Sequence, residues 1–136
     1  MQKIDHIFSS NYRIYYEDTD AGGIVYYANY LKFFERARTD FLRSKNIIQS
    51  QIDNLTKMIF VVRKCQIEYI SPARLDDLIT VTIEMVEIRG PFISMKQKIL
   101  KDQKLISTLE INLAAINSDN FKPIRIPTKI SKLIKC

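Results

Sequence analysis

The chain has 136 residues, of which 46% are hydrophobic, and a formal net charge of +6. That length supports one hydrophobic core and is short for two ordinary domains, so we predict a single domain over residues 1–136. No segment approaches the roughly 18 apolar residues of a membrane span, and the first residues lack the apolar stretch of an export signal. We therefore expect no transmembrane segment and a cytoplasmic location.

Cysteine and histidine are too scarce for most metal or covalent chemistry. Cys65 and Cys136 form neither a disulfide framework nor a metal-ligand spacing, so we expect reduced thiols. His6 is the only histidine. It cannot complete a zinc site with these cysteines, and a catalytic triad would have to recruit it from the terminus. We predict no metal and no cofactor.

The basic surplus is concentrated in residues 121–136, which contain no acidic residue. Such a surplus could serve nucleic acid, an anionic membrane surface or a phosphorylated ligand. No recognised nucleic-acid motif accompanies it. A solvated surface is the simplest interpretation, and anion binding is its main competitor.

The first predicted strand is Arg13–Glu17, which is rich in aromatic and β-branched residues. Soon after it, Gly22 and Gly23 stand together, although the chain has only three glycines. Glycine adopts positive φ readily and lets another molecule approach the backbone closely. The pair therefore indicates a turn with a special backbone shape and an open approach.

A long helix is predicted from about Ala28 to Asn46, where no glycine or proline occurs and apolar residues recur at helical spacing. Five of them fall within an arc of about 100°. They are Tyr30, Phe33, Phe34, Ala37 and Phe41. Such an aromatic face needs a broad apolar surface to lie on.

Arg38 falls inside that apolar arc, one helical turn after Glu35. A buried arginine normally has a partner, so an ion pair with Glu35 is the simplest interpretation. The functional alternative is that Glu35 orients a water molecule or that Arg38 binds a substrate phosphate.

Four long strands are predicted after the helix, because apolar and polar residues alternate in each. They are Ile59–Ile70, Leu78–Ile88, Phe92–Leu100 and Leu105–Asn117. The alternation predicts three inward-facing sets: Val61, Cys65, Ile67 and Tyr69; Ile79, Val81, Ile83 and Met85; Leu109, Ile111, Leu113 and Ala115. The connections are too short for parallel crossovers, so the strands pair antiparallel. An α+β fold follows, with one curved antiparallel sheet against one long helix. An unpaired strand edge predicts a dimer.

The glycine turn precedes the predicted helix, whose first N–H groups and positive dipole end point back toward it. Such an end stabilises negative charge. Asp20 beside the turn therefore indicates a hydrolytic site that works without a metal. The helix N–H groups would polarise a carbonyl, and Asp20 would attack it or activate a water molecule.

Three structural interpretations compete with this one. Asp18 or Asp20 could make a side-chain turn bond or cap the helix, which is the usual role of Asp before Gly. A calcium-binding loop matches at Asp18, Asp20 and Gly23, but Asn29 stands where its glutamate ligand should be. Tyr30 is expected in the core.

The run YYEDTDAGGIVYYANYLKFFERARTDFLR, Tyr15–Arg43, resembles the hydroxybenzoyl-CoA thioesterase family, and most closely its Tol-Pal-associated acyl-CoA thioesterase branch. The remaining strand order agrees with the family's hotdog fold, a curved antiparallel sheet wrapped around one long helix. The resemblance implies hydrolysis of acyl-CoA in the cytoplasm by homodimers or homotetramers whose active sites lie at a subunit interface.

The resemblance also assigns roles to residues. The family's catalytic aspartate matches Asp20, its carbonyl-polarising backbone N–H matches Tyr27, and its aromatic residue four positions before the aspartate matches Tyr16. Much of the branch has histidine where Tyr27 stands, so an imidazole role is lost here while the N–H is kept. The predicted substrate-binding residues are Tyr16, Gly22, Gly23 and Tyr27.

The first functional hypothesis is an acyl-CoA thioesterase for a short-chain or aromatic acyl group, with Asp20 as nucleophile or general base. The second is a non-catalytic module that binds acyl-CoA or acyl carrier protein. The third is a binder of nucleic acid or membrane surfaces through the basic C-terminal segment. We expect acyl-CoA as substrate, acyl carrier protein as a candidate partner, and no nucleic acid.

Overall fold

The computed structural model describes residues 7–135, with only the backbone for residues 53–55. His6 and Cys136 lie outside the described residues. Five strands and three helices occur in the described part: β1 (Phe8–Arg13), α1 (Asn29–Ser44), α2 (Gln49–Thr56), β2 (Met58–Tyr69), β3 (Leu78–Arg89), β4 (Phe92–Lys101), β5 (Lys104–Asn117) and α3 (Thr128–Lys135). None of these helices is long and apolar enough to span a membrane.

The five strands form one antiparallel sheet in the order β1-β3-β4-β5-β2, which places β1 and β2 at its edges. The predicted α+β fold, with a curved antiparallel sheet and one long helix, is confirmed. Short hairpins join β3 to β4 and β4 to β5. Because the sheet is open, the outer edges of β1 and β2 have no neighbouring strand within the described chain.

The aromatic face of α1 packs on the inner face of the sheet. Phe33, Phe34 and Ala37 are fully buried, and Tyr30 and Phe41 nearly so, which confirms the predicted arc. Burying one large apolar side chain contributes about 2–3 kcal/mol. This face therefore fixes both the position and the direction of the helix.

The predicted strand Arg13–Glu17 is wrong, because the first strand lies earlier, at Phe8–Arg13. Its half-buried residues alternate with exposed ones, but serine and asparagine hide that alternation in the sequence. The aromatic pair Tyr15 and Tyr16 is exposed instead. Tyr16 begins a short 3-10 turn that leads toward α1.

β2 and β3 each contain a β-bulge, and beyond each bulge the residues that face inward change. In β2 the register shifts at Arg63, so Val61 lies on the face opposite to Cys65. In β3 it shifts at Glu84, so Met85 stands opposite the exposed Lys96, on the outer face. The predicted inward positions of Val61 and Met85 are therefore wrong. A bulge adds one residue to one strand, and a period of two in the sequence does not reveal it.

The helices α2 and α3 were not predicted. Each has eight residues, which is too short to be stable in isolation. In α3, Ile130 and Ile134 are buried against the core, whereas Lys129 and Lys132 are exposed. Part of the basic C-terminal segment is thus a structural helix with a solvated lysine face.

Arg38 is buried, as its position in the apolar arc predicts, but its partner is different. Its Nη1 donates to Oε1 of Gln97 at 3.0 Å, and Nε2 of Gln97 donates to the carbonyl oxygen of Phe34 at 3.1 Å. The predicted ion pair with Glu35 is wrong. Burial lowers the pKa of Arg38, and the charge of Glu35 acts through space in the opposite direction.

Replacing Phe33 by alanine should lower the free energy of unfolding by about 3–5 kcal/mol, because it leaves a cavity in the core. Leu31→Ala on the same helix is the control, since Leu31 is 38% exposed, and should cost about 1 kcal/mol or less. Urea denaturation of both variants measures the difference. Equal losses would contradict the described orientation of α1.

Candidate active site

The loop before α1 is a tight turn built around Asp20. Thr19 and Val25 form an antiparallel bridge, and the Asp20 N–H donates to the carbonyl oxygen of Ile24 at 3.0 Å. The Gly23 N–H donates to the Asp20 carbonyl oxygen at 3.1 Å, and Gly23 has a φ of +78°. The special backbone shape predicted from the glycine pair is therefore confirmed at Gly23.

Gly22 orients the side chain of Asp20. Its backbone N–H donates to Oδ1 of Asp20 at 2.8 Å. The side-chain turn bond considered from the sequence is thus present. It uses one carboxylate oxygen, and a carboxylate has a second oxygen for other chemistry. Asp20 is solvent-exposed in the single chain.

The turn is attached to the start of α1 through Asp18. The side-chain amide of Asn29 and the backbone N–H of Tyr26 both donate to the Asp18 carbonyl, at 2.9 and 3.0 Å. The buried Asp18 carboxylate accepts the N–H of Tyr15 at 2.8 Å. Asp18 therefore has a structural role in the 3-10 turn and does not cap α1.

The N-terminus of α1 has no side-chain cap. Ala28 occupies the capping position, and its methyl group cannot accept a hydrogen bond. The first N–H groups of a helix have no intrahelical partner, and they form its positive dipole end. A bound carbonyl oxygen or anion at this end would therefore be stabilised.

Four tyrosines surround the start of α1. Tyr27 is 61% exposed, and its ring is tilted by 49° against that of Tyr26, with 4.9 Å between the ring centroids. The Tyr69 hydroxyl donates to the Tyr27 carbonyl at 3.0 Å, and its ring meets Tyr30 edge-on at 5.4 Å. The Tyr30 hydroxyl accepts the N–H of Ala73 at 3.1 Å in the core, as expected for a buried tyrosine. Burial raises the pKa of both Tyr30 and Tyr69, so these phenols stay neutral at physiological pH.

The predicted site residues all lie in the segment between β1 and α1. Asp20, Gly22 and Gly23 share one turn, and Tyr27 lies directly before α1. The Tyr16 ring is 81% exposed, and its carbonyl accepts the N–H and hydroxyl of Thr19. Asn29 and Tyr69 were not predicted as residues of the site. Tyr69 carried a signal, because it ends the inward-facing alternation of β2.

Two other features of the site concern charge. Within residues 7–135, no group of three or more His, Cys, Asp and Glu side chains is placed to hold a metal ion.

Asp77, in the loop that contacts Gly23 through Leu75, accepts a hydrogen bond from Lys101 at 2.7 Å. Partial burial opposes ionisation of Asp77, but Lys101 and Arg74 prevail and lower its pKa.

Comparison with known proteins gives a consistent family. Residues 15–134 match the sequence model of the thioesterase-like superfamily. The chain is 39% identical over 127 residues to the acyl-CoA thioesterase YbgC of Haemophilus influenzae, covering 93% of each protein. It is 40% identical over 119 residues to the acyl-CoA thioester hydrolase YbgC of Escherichia coli O157:H7, covering 87% of this chain and 88% of the relative.

Solved structures agree. A probable thioesterase from Bartonella henselae superposes with a TM-score of 0.84 at 34% identity, covering 88% of this chain and 98% of the other. A mutant 4-hydroxybenzoyl CoA thioesterase complexed with 4-hydroxybenzoyl CoA superposes with a TM-score of 0.86 at 17% identity, covering 93% and 97%. The latter likeness shows the fold alone.

Gly23→Ala should destabilise the protein by about 1–2 kcal/mol, because an L-residue at this positive φ is strained. Gly22→Ala is the matched control. Its new Cβ would lie 3.2 Å from Oδ1 of Asp20, a side chain that can shift, so stability should change by about 0.5 kcal/mol or less. Thermal and urea denaturation compare the two. A larger loss at Gly22 would be incompatible with the described turn.

Proposed function

The chain belongs to the thioesterase-like superfamily and is an acyl-CoA thioesterase, and we propose that its active site is the Asp20 turn together with the start of α1. One observation carries this proposal. The Asp20 carboxylate is oriented by Gly22 in a turn that is hydrogen-bonded to a helix start without a side-chain cap. In the proposal, Asp20 is the nucleophile or base, and the N–H groups of this helix start polarise the carbonyl.

In the proposed reaction, the thioester carbonyl oxygen accepts the backbone N–H of Tyr27 at the helix start. Donors placed where negative charge develops are typically worth about 10²–10³ in rate. Asp20 either attacks the carbonyl carbon, which expels CoA thiolate and leaves a mixed anhydride for water to hydrolyse, or removes a proton from water as it attacks. Both routes consume one water and give the free acid and CoA.

Tyr16, Gly22, Gly23 and Tyr27 are the proposed substrate-binding residues. Gly22 and Gly23 leave the approach to the turn free of side chains. The exposed rings of Tyr16 and Tyr27 offer apolar surface beside it, which suits a short-chain or aromatic acyl group. The thioester could be carried by CoA or by acyl carrier protein, because both present it on the same phosphopantetheine arm.

We propose that the chain acts in the cytoplasm as a homodimer or as a homotetramer made of such dimers. The β2 edge supports this, because Val62 is 55% exposed there and most of residues 62–69 are exposed as well. A second β2 strand could pair with this edge. The pairing would also cover the exposed Asp20 turn if the two sites lie at the interface.

Asp20→Asn keeps the size of the side chain and removes its charge, so turnover of an acyl-CoA should fall at least about a hundredfold. Asp119→Asn is the matched control at an exposed turn after β5, and it should retain full activity. Release of free thiol measures both rates. Turnover of the Asp20→Asn variant within tenfold of the wild type would refute the assignment.

Val62→Glu should weaken self-association, because it places a charge on the proposed contact edge. The control is Leu78→Glu, at a similarly exposed apolar residue whose strand already pairs with β1. Sedimentation at micromolar concentration should show dimers or tetramers for the wild type and the control, and monomers with reduced activity for the Val62→Glu variant. A monomeric wild type would rule out the oligomer.

A further inference from the structure

Arg38 is a buried cation whose hydrogen-bonding capacity is mostly unused. It is 8% exposed, and Nη1 donates to the neutral amide of Gln97. The ion pairs between described residues involve other side chains. A guanidinium has five N–H donors. Buried charges in proteins are normally paired with an opposite charge. Among the described residues, Glu35 acts on Arg38 only through space, and no carboxylate forms an ion pair with the guanidinium.

Arg38 lies in the wall of a groove between α1 and β2. The cavity has a volume of about 150 Å³. Glu35 lines it together with Arg38, and most of the other lining residues are apolar. The apolar walls include Leu42, Phe60, Val62, Ile93 and Met95. At about 30 Å³ for a water-sized group, it has room for roughly five such groups. A short acyl group has this size and this chemistry.

The same face of α1 leads from the groove to the proposed active site. Side chains three or four residues apart lie on one side of a helix. Those on this side are Leu31, Glu35 and Arg38, and Tyr27 lies two residues before the helix begins. On β2, Tyr69 contacts the Tyr27 ring, and Cys65 lies on the inner face opposite Ile111. This side of α1 therefore runs from the segment before the helix toward the groove.

We propose that the acyl group of the substrate runs along this groove and that Arg38 binds a carboxylate at its far end. The preferred substrates would then be CoA thioesters of short dicarboxylic acids. This inference rests on the proposed active site at Asp20. A carboxylate would satisfy the planar guanidinium with two parallel hydrogen bonds and neutralise its charge.

The position of Arg38 sets the expected chain length. Gln97 links its guanidinium to the Phe34 carbonyl, which is six residues, or about 9 Å, along the helix from Ala28. With the guanidinium taken to lie level with that carbonyl, a hydrogen bond of about 3 Å leaves about 6 Å between the thioester and the distal carboxylate. With C–C bonds of about 1.5 Å in a zigzag, four or five bonds span this distance. Glutaryl-CoA and adipyl-CoA fit.

The test compares glutaryl-CoA with valeryl-CoA, which has a methyl group in place of the carboxylate. Wild type should favour glutaryl-CoA at least about tenfold in kcat/KM, the scale of a hydrogen bond to a charged group. Arg38→Met keeps the bulk of the side chain and should lose that preference, mainly through KM, while valeryl-CoA turnover stays within about threefold. The control Arg36→Met, at an exposed arginine over Phe33, should keep the preference.

Equal turnover of the two thioesters by wild type would overturn the inference, whether or not the Arg38→Met variant folds. So would a parallel loss on both substrates, or a shift to monomers, which would assign Arg38 to packing or to contact between copies. Calorimetry with Asp20→Asn measures binding of each thioester without turnover. Tighter binding of glutaryl-CoA supports the inference even if the catalytic assignment fails, and equal binding refutes it.

Discussion

The burial of one aromatic helix face is the constraint on which the rest of this molecule depends. Phe33, Phe34 and Phe41 are held against the sheet with almost no exposure. Each large apolar side chain buried in this way contributes about 2–3 kcal/mol. This packing fixes the axis of α1, and therefore the direction of its N-terminal dipole. The active-site proposal needs that direction to be rigid, since a donor that stabilises developing charge must already be in place.

Asp18 and Asp20 show how position separates two identical side chains. The buried Asp18 carboxylate accepts a hydrogen bond from the backbone N–H of Tyr15. Its backbone carbonyl accepts hydrogen bonds from the N–H of Tyr26 and the side-chain amide of Asn29. Its burial keeps this carboxylate inside the loop. Asp20 is exposed and receives one N–H from Gly22. Asp18 therefore holds the loop in place, and the exposed carboxylate of Asp20 keeps an oxygen that can take part in a reaction.

Local patterns in the sequence were sufficient for α1, for the four later strands and for the glycine turn. They failed where the outcome depends on contacts between distant residues. The bulges at Arg63 and Glu84 each insert one extra residue relative to the partner strand. The sequence of one strand does not show how many residues its partner has at that point. Likewise α3 is too short to form alone, and Ile130 and Ile134 stabilise it only through the core.

The site was predicted in part for the same reason. Asp20, Gly22 and Gly23 are neighbours in sequence, so a turn motif reveals them together. Tyr69 reaches Tyr27 across 42 residues, and Arg38 reaches Gln97 across 59, so only the folded sheet shows these contacts. Arg38 illustrates the difference. Helical spacing located it on the apolar face, but spacing alone paired it with Glu35. The structure places Arg38 against β4, where it is a buried cation beside a mostly apolar groove. Its charge is the basis for our inference that the groove binds a substrate with a carboxylate.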